Sequence, residues 1–261
     1  MRSSRVMGSV ALAMALAFLS LACTGGKQGS PDLPGLPGEG TVGLATCNEL
    51  AKAKRFRYNF EYKLESPKPS GDTDASAVGN PPFVLRPNDP DFLIAQTIEG
   101  SFVEPDKFSL SIKTPGQADL PTVYIGERRW AKLGDSWAES ESSTLGPPFP
   151  PLMVCLSALT GLEFDAVTPA EEELNGLAVR HYSFGQITLE NMATALWGSE
   201  SDMGRLLKVH DVEVWLTEDG SLARLETRSQ GTYPSGRKLL LEQALDIKDV
   251  NAGDIEVEPP I

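Results

Sequence analysis

Histidine and cysteine are scarce: 2 His and 3 Cys in 261 residues. That is too few ligands for a zinc site built from several of them. Basic residues are outnumbered, 23 Lys and Arg against 36 Asp and Glu, for a net charge of -13. Such a surface excludes charge-driven binding to nucleic acid or anionic lipid, because both need a basic face. No HExxH, GxSxG, CxxC or glycine-rich phosphate loop occurs, so the sequence offers no catalytic constellation, cofactor site or metal site. His181 and His210 stand 29 residues apart, and Asp89 with Asp91 and the run Glu171–Glu173 lack the loop spacing of a calcium site. These acids read as solvated loop charges, with a hydrolase of unfamiliar site kept as an alternative. What is present is a hydrophobic fraction of 41%, enough for a sizeable core.

The first 22 residues read as an export signal. Arg2 and Arg5 precede an apolar run from Val6 to Leu19, and Ala22 supplies the small residue before a cut. The run falls short of the ~20 residues that span a bilayer, so cleavage is favoured over a membrane-spanning anchor. Leu19-Ser20-Leu21-Ala22-Cys23 resembles the relaxed form of the lipobox of bacterial lipoproteins, with Ser20 where Leu is favoured. The resemblance implies that Cys23 is lipidated and becomes the first mature residue. From Cys23 to residue 45 the chain is rich in Gly and Pro, including Leu33-Pro34-Gly35-Leu36-Pro37-Gly38. It reads as a flexible tether about 25 Å in mean reach, or as a disordered terminus without a role. Assigning Cys23 to lipid leaves Cys47 and Cys155 as a pair in an oxidising compartment, where a disulfide is expected; two buried free thiols are the alternative.

The folded domain is expected over residues 46–261, opening at Thr46-Cys47-Asn48-Glu49, which has the form of a capping box. Phe56, Tyr58, Phe60, Tyr62 and Leu64 then alternate with Arg55, Arg57, Asn59, Glu61 and Lys63, a strand with one apolar face. The stretch from Pro67 to Pro90 reads as a loop or insertion. Strand patterns recur at 92–102, 107–114 with Phe108, Leu110 and Ile112 on one face, 122–126, 129–133, 177–184 and 238–247, and on either side of Asp219-Gly220. Helical spacing appears at Leu152, Cys155, Leu156 and Leu159, and again at Leu189, Met192, Ala193 and Leu196. The sum is about nine or ten antiparallel strands with three helices, an α+β chain without βαβ alternation.

Four strand-and-turn pieces in this order resemble the LolA-like and LppX/LprG-like lipoproteins. They are Ile98–Phe102 with Pro105–Phe108, Val123–Gly126 through Trp130 to Trp137, Asn175-Gly176 with His181-Tyr182, and Val214–Leu216 through Asp219-Gly220 to Leu225. The resemblance implies a curved antiparallel sheet, an incomplete β-barrel of about 9–11 strands closed by short helices over an apolar concave face. It also implies a non-enzymatic, membrane-anchored, extracytoplasmic protein whose partners are lipid or lipoprotein acyl chains. The alternative is an interaction or envelope-sensing module that uses the same half-barrel on a protein partner. Such families share no fixed site motif, so cavity candidates come from periodicity: Phe56, Tyr58, Phe60, Tyr62, Phe108, Leu110, Ile112 and the aromatics Tyr124, Trp130 and Trp215. Each of these could equally be core.

Overall fold

The computed structural model describes residues 42–66, 92–141, 150–159, 162–185, 208–233 and 236–260. The expected signal segment, Cys23, most of the tether, the Pro67–Pro90 insertion, Asp89, Asp91 and the helical spacing at 189–196 lie outside them. The chain opens with helix α1 (Val42–Lys52), followed by strands β1 (Arg55–Ser66), β2 (Phe92–Val103), β3 (Lys107–Lys113), β4 (Leu120–Ile125), β5 (Arg128–Leu133) and β6 (Ser136–Glu141). Helix α2 (Pro150–Leu159) and a 3-10 turn (Phe164–Ala166) come next. Strands β7 (Ala170–Leu174), β8 (Leu177–Phe184), β9 (Lys208–Thr217), β10 (Leu222–Thr232) and β11 (Lys238–Lys248) complete the order.

All eleven strands form one antiparallel sheet in the order β6-β5-β4-β3-β2-β1-β11-β10-β9-β8-β7. Two meanders are thus joined where the first strand pairs with the last, Phe60 opposite Leu245 and Tyr62 opposite Gln243. The outermost strands β6 and β7 do not pair, so the curved sheet stays open as a half-barrel. This is the α+β architecture expected above. Its hairpins follow turn chemistry: Asn175 and Gly176, both at positive φ (54° and 82°), join β7 to β8, a conformation that two-residue hairpins require.

Two sequence expectations are corrected. Thr46 does not cap a helix; α1 starts four residues earlier, at Val42, and the Thr46 hydroxyl donates to the Gly220 carbonyl at 3.3 Å. The earlier start is set by packing, since a Cβ on Gly43 would meet the Leu159 carbonyl oxygen at 2.5 Å and only glycine fits against α2 there. The run Glu171–Glu173 is not a loop but the middle of β7. An edge strand exposed on both faces has no apolar period to reveal it, and its charges discourage pairing with another chain. The hairpin piece that runs to Trp137 is present, Ser136–Glu141 forming strand β6 in full register with β5.

Cys47 of α1 and Cys155 of α2 are bonded, with Cα atoms 5.7 Å apart. The helices therefore pack on one another and lie over one face of the sheet. Leu50, Val154, Ala158 and Leu159 join Phe56, Phe60, Val214 and Leu245 in a single core cluster. We call this helix-covered side the inner face.

Candidate functional site

Because side chains alternate across a strand, pairing register decides which residues share the inner face. One transverse row runs Phe56–Phe102–Phe108–Tyr124 across β1 to β4. Its rings are in contact, with centroids 5.3 Å apart for Phe56 and Phe102 and 5.0 Å for Phe102 and Phe108. The next row runs Tyr58–Gly100–Leu110–Thr122, and a third carries Phe60, Ile98 and Ile112. On the other flank Phe60 continues through Leu245, Leu225 and Val214 to Tyr182. Eight of the sequence candidates thus lie together: Phe56, Tyr58, Phe60, Tyr62, Phe108, Leu110, Ile112 and Tyr124. Most are buried, while Tyr62 and Ile112, with Leu152 and Leu156 of α2, are half-buried at the margin of the apolar layer. Sequence reading missed the partners contributed by β2 and β8 to β11, among them Phe102, Tyr182, Phe184 and Leu245. The same two-residue alternation in those strands was the available signal.

Trp130 and Trp215 lie on the opposite, outer face. Trp130 stands opposite Val123 and packs with it and Val257 in a small separate cluster. Trp215 stands opposite His181 in the β8–β9 pair, and their rings stack at 4.2 Å with planes 6° apart. Each is one residue out of phase with an inner-face neighbour, Val123 lying beside Tyr124 and Trp215 beside Val214.

The inner face also carries polar atoms. Tyr62 donates to Gln96 Oε1 at 2.5 Å, and Gln96 Nε2 donates to Thr114 Oγ1 at 3.0 Å; burial pushes the Tyr62 phenol up to about 12. Deeper in, the Tyr58 hydroxyl and Thr122 Oγ1 are buried without a hydrogen-bond partner among the described residues. Burial, and secondarily Tyr124, raise the Tyr58 phenol far above its ordinary value. The Tyr58 ring crosses β2 directly above Gly100, where a Cβ would come within 2.5 Å of Cζ, so glycine is required at this crossing.

The outer face is a lattice of charge. A groove of about 720 Å³ runs from β2 to β9, walled by outer-face charges such as Glu61, Lys63, Glu226, Arg228 and Glu242 together with Tyr62, Gln96, Thr227 and Gln243 of one inner-face row, so its lining is polar and of the candidates it includes only Tyr62. Arg228 pairs with Glu242 at 2.9 Å and Arg224 with Asp246 at 3.1 Å. Beside it His181 is held at both nitrogens, Nδ1 2.9 Å from Glu172 and Nε2 2.7 Å from Glu213, while Trp215 Nε1 donates to the other Glu172 oxygen and Ser183 Oγ to Glu213. Two carboxylate acceptors can both be satisfied only by the doubly protonated ring. Burial lowers the His181 pKa, but the hydrogen bonds to Glu172 and Glu213 outweigh it, and the net shift is upward from 6.5. Glu172 is held below the usual carboxylate value, chiefly by its bond to His181. A raised histidine contributes stability that is complete below its unfolded value and lost as pH rises through its folded one. His181→Gln is therefore expected to lower the melting temperature most near pH 6 and progressively less at alkaline pH. A difference from wild type that is flat from pH 6 to pH 9 would refute the charged assignment.

Comparison with known proteins gives likeness in fold only. The lipoprotein LppX of Mycobacterium tuberculosis superposes with a TM-score of 0.43 and 13% identity, over 83% of this chain and 96% of that one. A putative outer membrane lipoprotein-sorting protein domain from Vibrio parahaemolyticus matches with a TM-score of 0.23 and 9% identity, over 77% and 87%. No protein-family model and no curated protein matches the sequence.

Proposed function

We propose that this protein is an exported lipoprotein, anchored through Cys23 on the extracytoplasmic side of a membrane, that binds or carries acyl chains against the inner face of its half-barrel. The observation that carries the reading is the segregation of the two sheet faces. The inner one carries an aromatic and aliphatic layer from β4 to β8; the outer one is a network of ion pairs. Among the described residues the inner layer is covered by two helices of 11 and 10 residues and one 3-10 turn. Tyr62, Ile112, Leu152 and Leu156, half-buried at its margin, mark where an acyl chain would enter. The bonded pair Cys47–Cys155 suits an oxidising compartment outside the cytoplasm. We read the chain as a binding protein rather than an enzyme, since no acid–base pair converges on the inner face among the described residues.

Native mass spectrometry of the Cys23→Ala chain, purified from a lipid-containing bacterial host, tests the reading. The expected spectrum shows a stoichiometric non-covalent lipid, lost in the Ile112→Asp variant while the fold is retained. A clean mass that persists after incubation with phospholipid, glycolipid and fatty acid would overturn the proposal and leave an interaction module as the better account.

A further inference from the structure

Part of the cover over the inner layer is joined to the sheet only at its edge. In chain order, helix α2 is followed by the turn Phe164–Ala166 and then by β7. On that path Phe164 is buried in the core, its ring 5.0 Å from Tyr182 and 4.9 Å from Phe184, and Val167 packs against the same cluster. Strand β7 is therefore where this segment meets the sheet. It has five residues, lies outermost and pairs only with β8, and Ala170 to Glu173 are exposed. So little pairing and burial puts it at the low end of local stability.

Side chains supply a second hold. Glu172 of β7 bonds to His181 Nδ1 of β8 and accepts from Trp215 Nε1 of β9, while His181 Nε2 meets Glu213 of β9. Among the described residues the groups facing the imidazole are thus Glu172 from β7 and Glu213 and Trp215 from β9. Arg224 of β10 lies over the Trp215 ring at 5.7 Å and is itself paired with Glu226 and Asp246. Glu171, Glu173 and Arg180 alternate to the other face. An imidazolium donates to both carboxylates, whereas the neutral ring has one N–H and must turn a lone pair on one of them. Glu213 is held in place because β9 is paired on both sides; Glu172, on the edge, is the one able to withdraw.

We propose that His181 and Glu172 form a pH-responsive latch: the protonated ring fastens β7 and, through it, the Phe164 segment over Tyr182 and Phe184, and loss of the proton loosens both. Burial lowers the His181 pKa but its two carboxylate partners outweigh it, so the release falls above 6.5. The latch goes beyond the acyl-binding reading and does not depend on it.

Hydrogen–deuterium exchange of the Cys23→Ala chain at pH 6 and pH 9, with intrinsic rates divided out, tests it. Protection of residues 162–174 is expected to fall about tenfold between the two, the scale of one hydrogen bond to a charged group, while β1 and β11 change far less. His181→Gln should remove the pH response and hold residues 162–174 at the less protected level throughout. Glu172→Gln, a change confined to the exposed edge, should act in the same direction without touching the His181–Glu213 contact. Protection at β7 that shifts no more than that of β1 and β11 overturns the inference. So does a response that persists in His181→Gln, or one at β7 that leaves the Phe164 segment unchanged.

Discussion

Replacing Cys47 and Cys155 by alanine should cost about 4–5 kcal/mol of unfolding free energy, the largest loss expected from any change confined to the two helices. The bond closes a separation of 108 residues, which spans β1 to β6, so cutting it returns a large loop to the unfolded ensemble. Both cysteines are fully buried, so the loss of sulfur also leaves space at the contact of α1 with α2. Urea unfolding at 25 °C of wild type, the double variant and reduced wild type measures the effect. The double variant should fall somewhat below reduced wild type, since it loses the same constraint and the two buried sulfurs as well. A difference of less than about 1 kcal/mol between oxidised and reduced protein would mean that the reduced chain keeps that loop closed when unfolded, and the entropic account would fail. Hydrogen exchange should show the helices opening before the central strands, because α1 and α2 hold each other more than they hold the sheet.

Phe56→Ala is expected to cost about 3–5 kcal/mol, as for other large aromatic truncations in close-packed cores. Phe56 has no exposed surface, and its ring meets Phe102 and Tyr58 at centroid distances of 5.3 and 6.2 Å. It opens the row that ends at Tyr124, so the void would lie under the centre of the inner layer. Trp215→Ala makes the proper comparison. It removes a larger ring, but one on the outer face, stacked on His181 and bordered by Arg224 at 5.7 Å, and its loss should be clearly smaller. Urea midpoints at constant m-value decide between them. If the two variants lose equal stability, the division of the sheet into a packed inner face and a solvated outer face is wrong.

Much of this architecture is legible in the chain itself. The alternation from Arg55 to Leu64 announces β1 with its apolar side, and Asp219-Gly220 announces the β9–β10 hairpin, where Gly220 takes the positive φ of 84°. The cysteine count, once Cys23 is set aside, leads to the pair that is in fact bonded. Legibility fails where local pattern carries no information about distant neighbours. Strand β7 has glutamates on both faces and no period to read. Helix α1 begins at Val42 because Gly43 fits against Leu159, a contact made more than a hundred residues away. Trp130 and Trp215 look like members of an aromatic set, yet the phase of their strands turns them outward.

The sequence by itself determined the local elements: where strands run, where they turn, and which residues within one strand share a side. Those follow from backbone preferences and a two-residue period acting over a few residues. Only the tertiary structure decided that the first strand pairs with the last and that Glu172, His181, Glu213 and Trp215 meet on three strands. A period of two fixes alternation but not register, and register between strands far apart in the chain is set by the sum of cross-strand packing over the whole sheet.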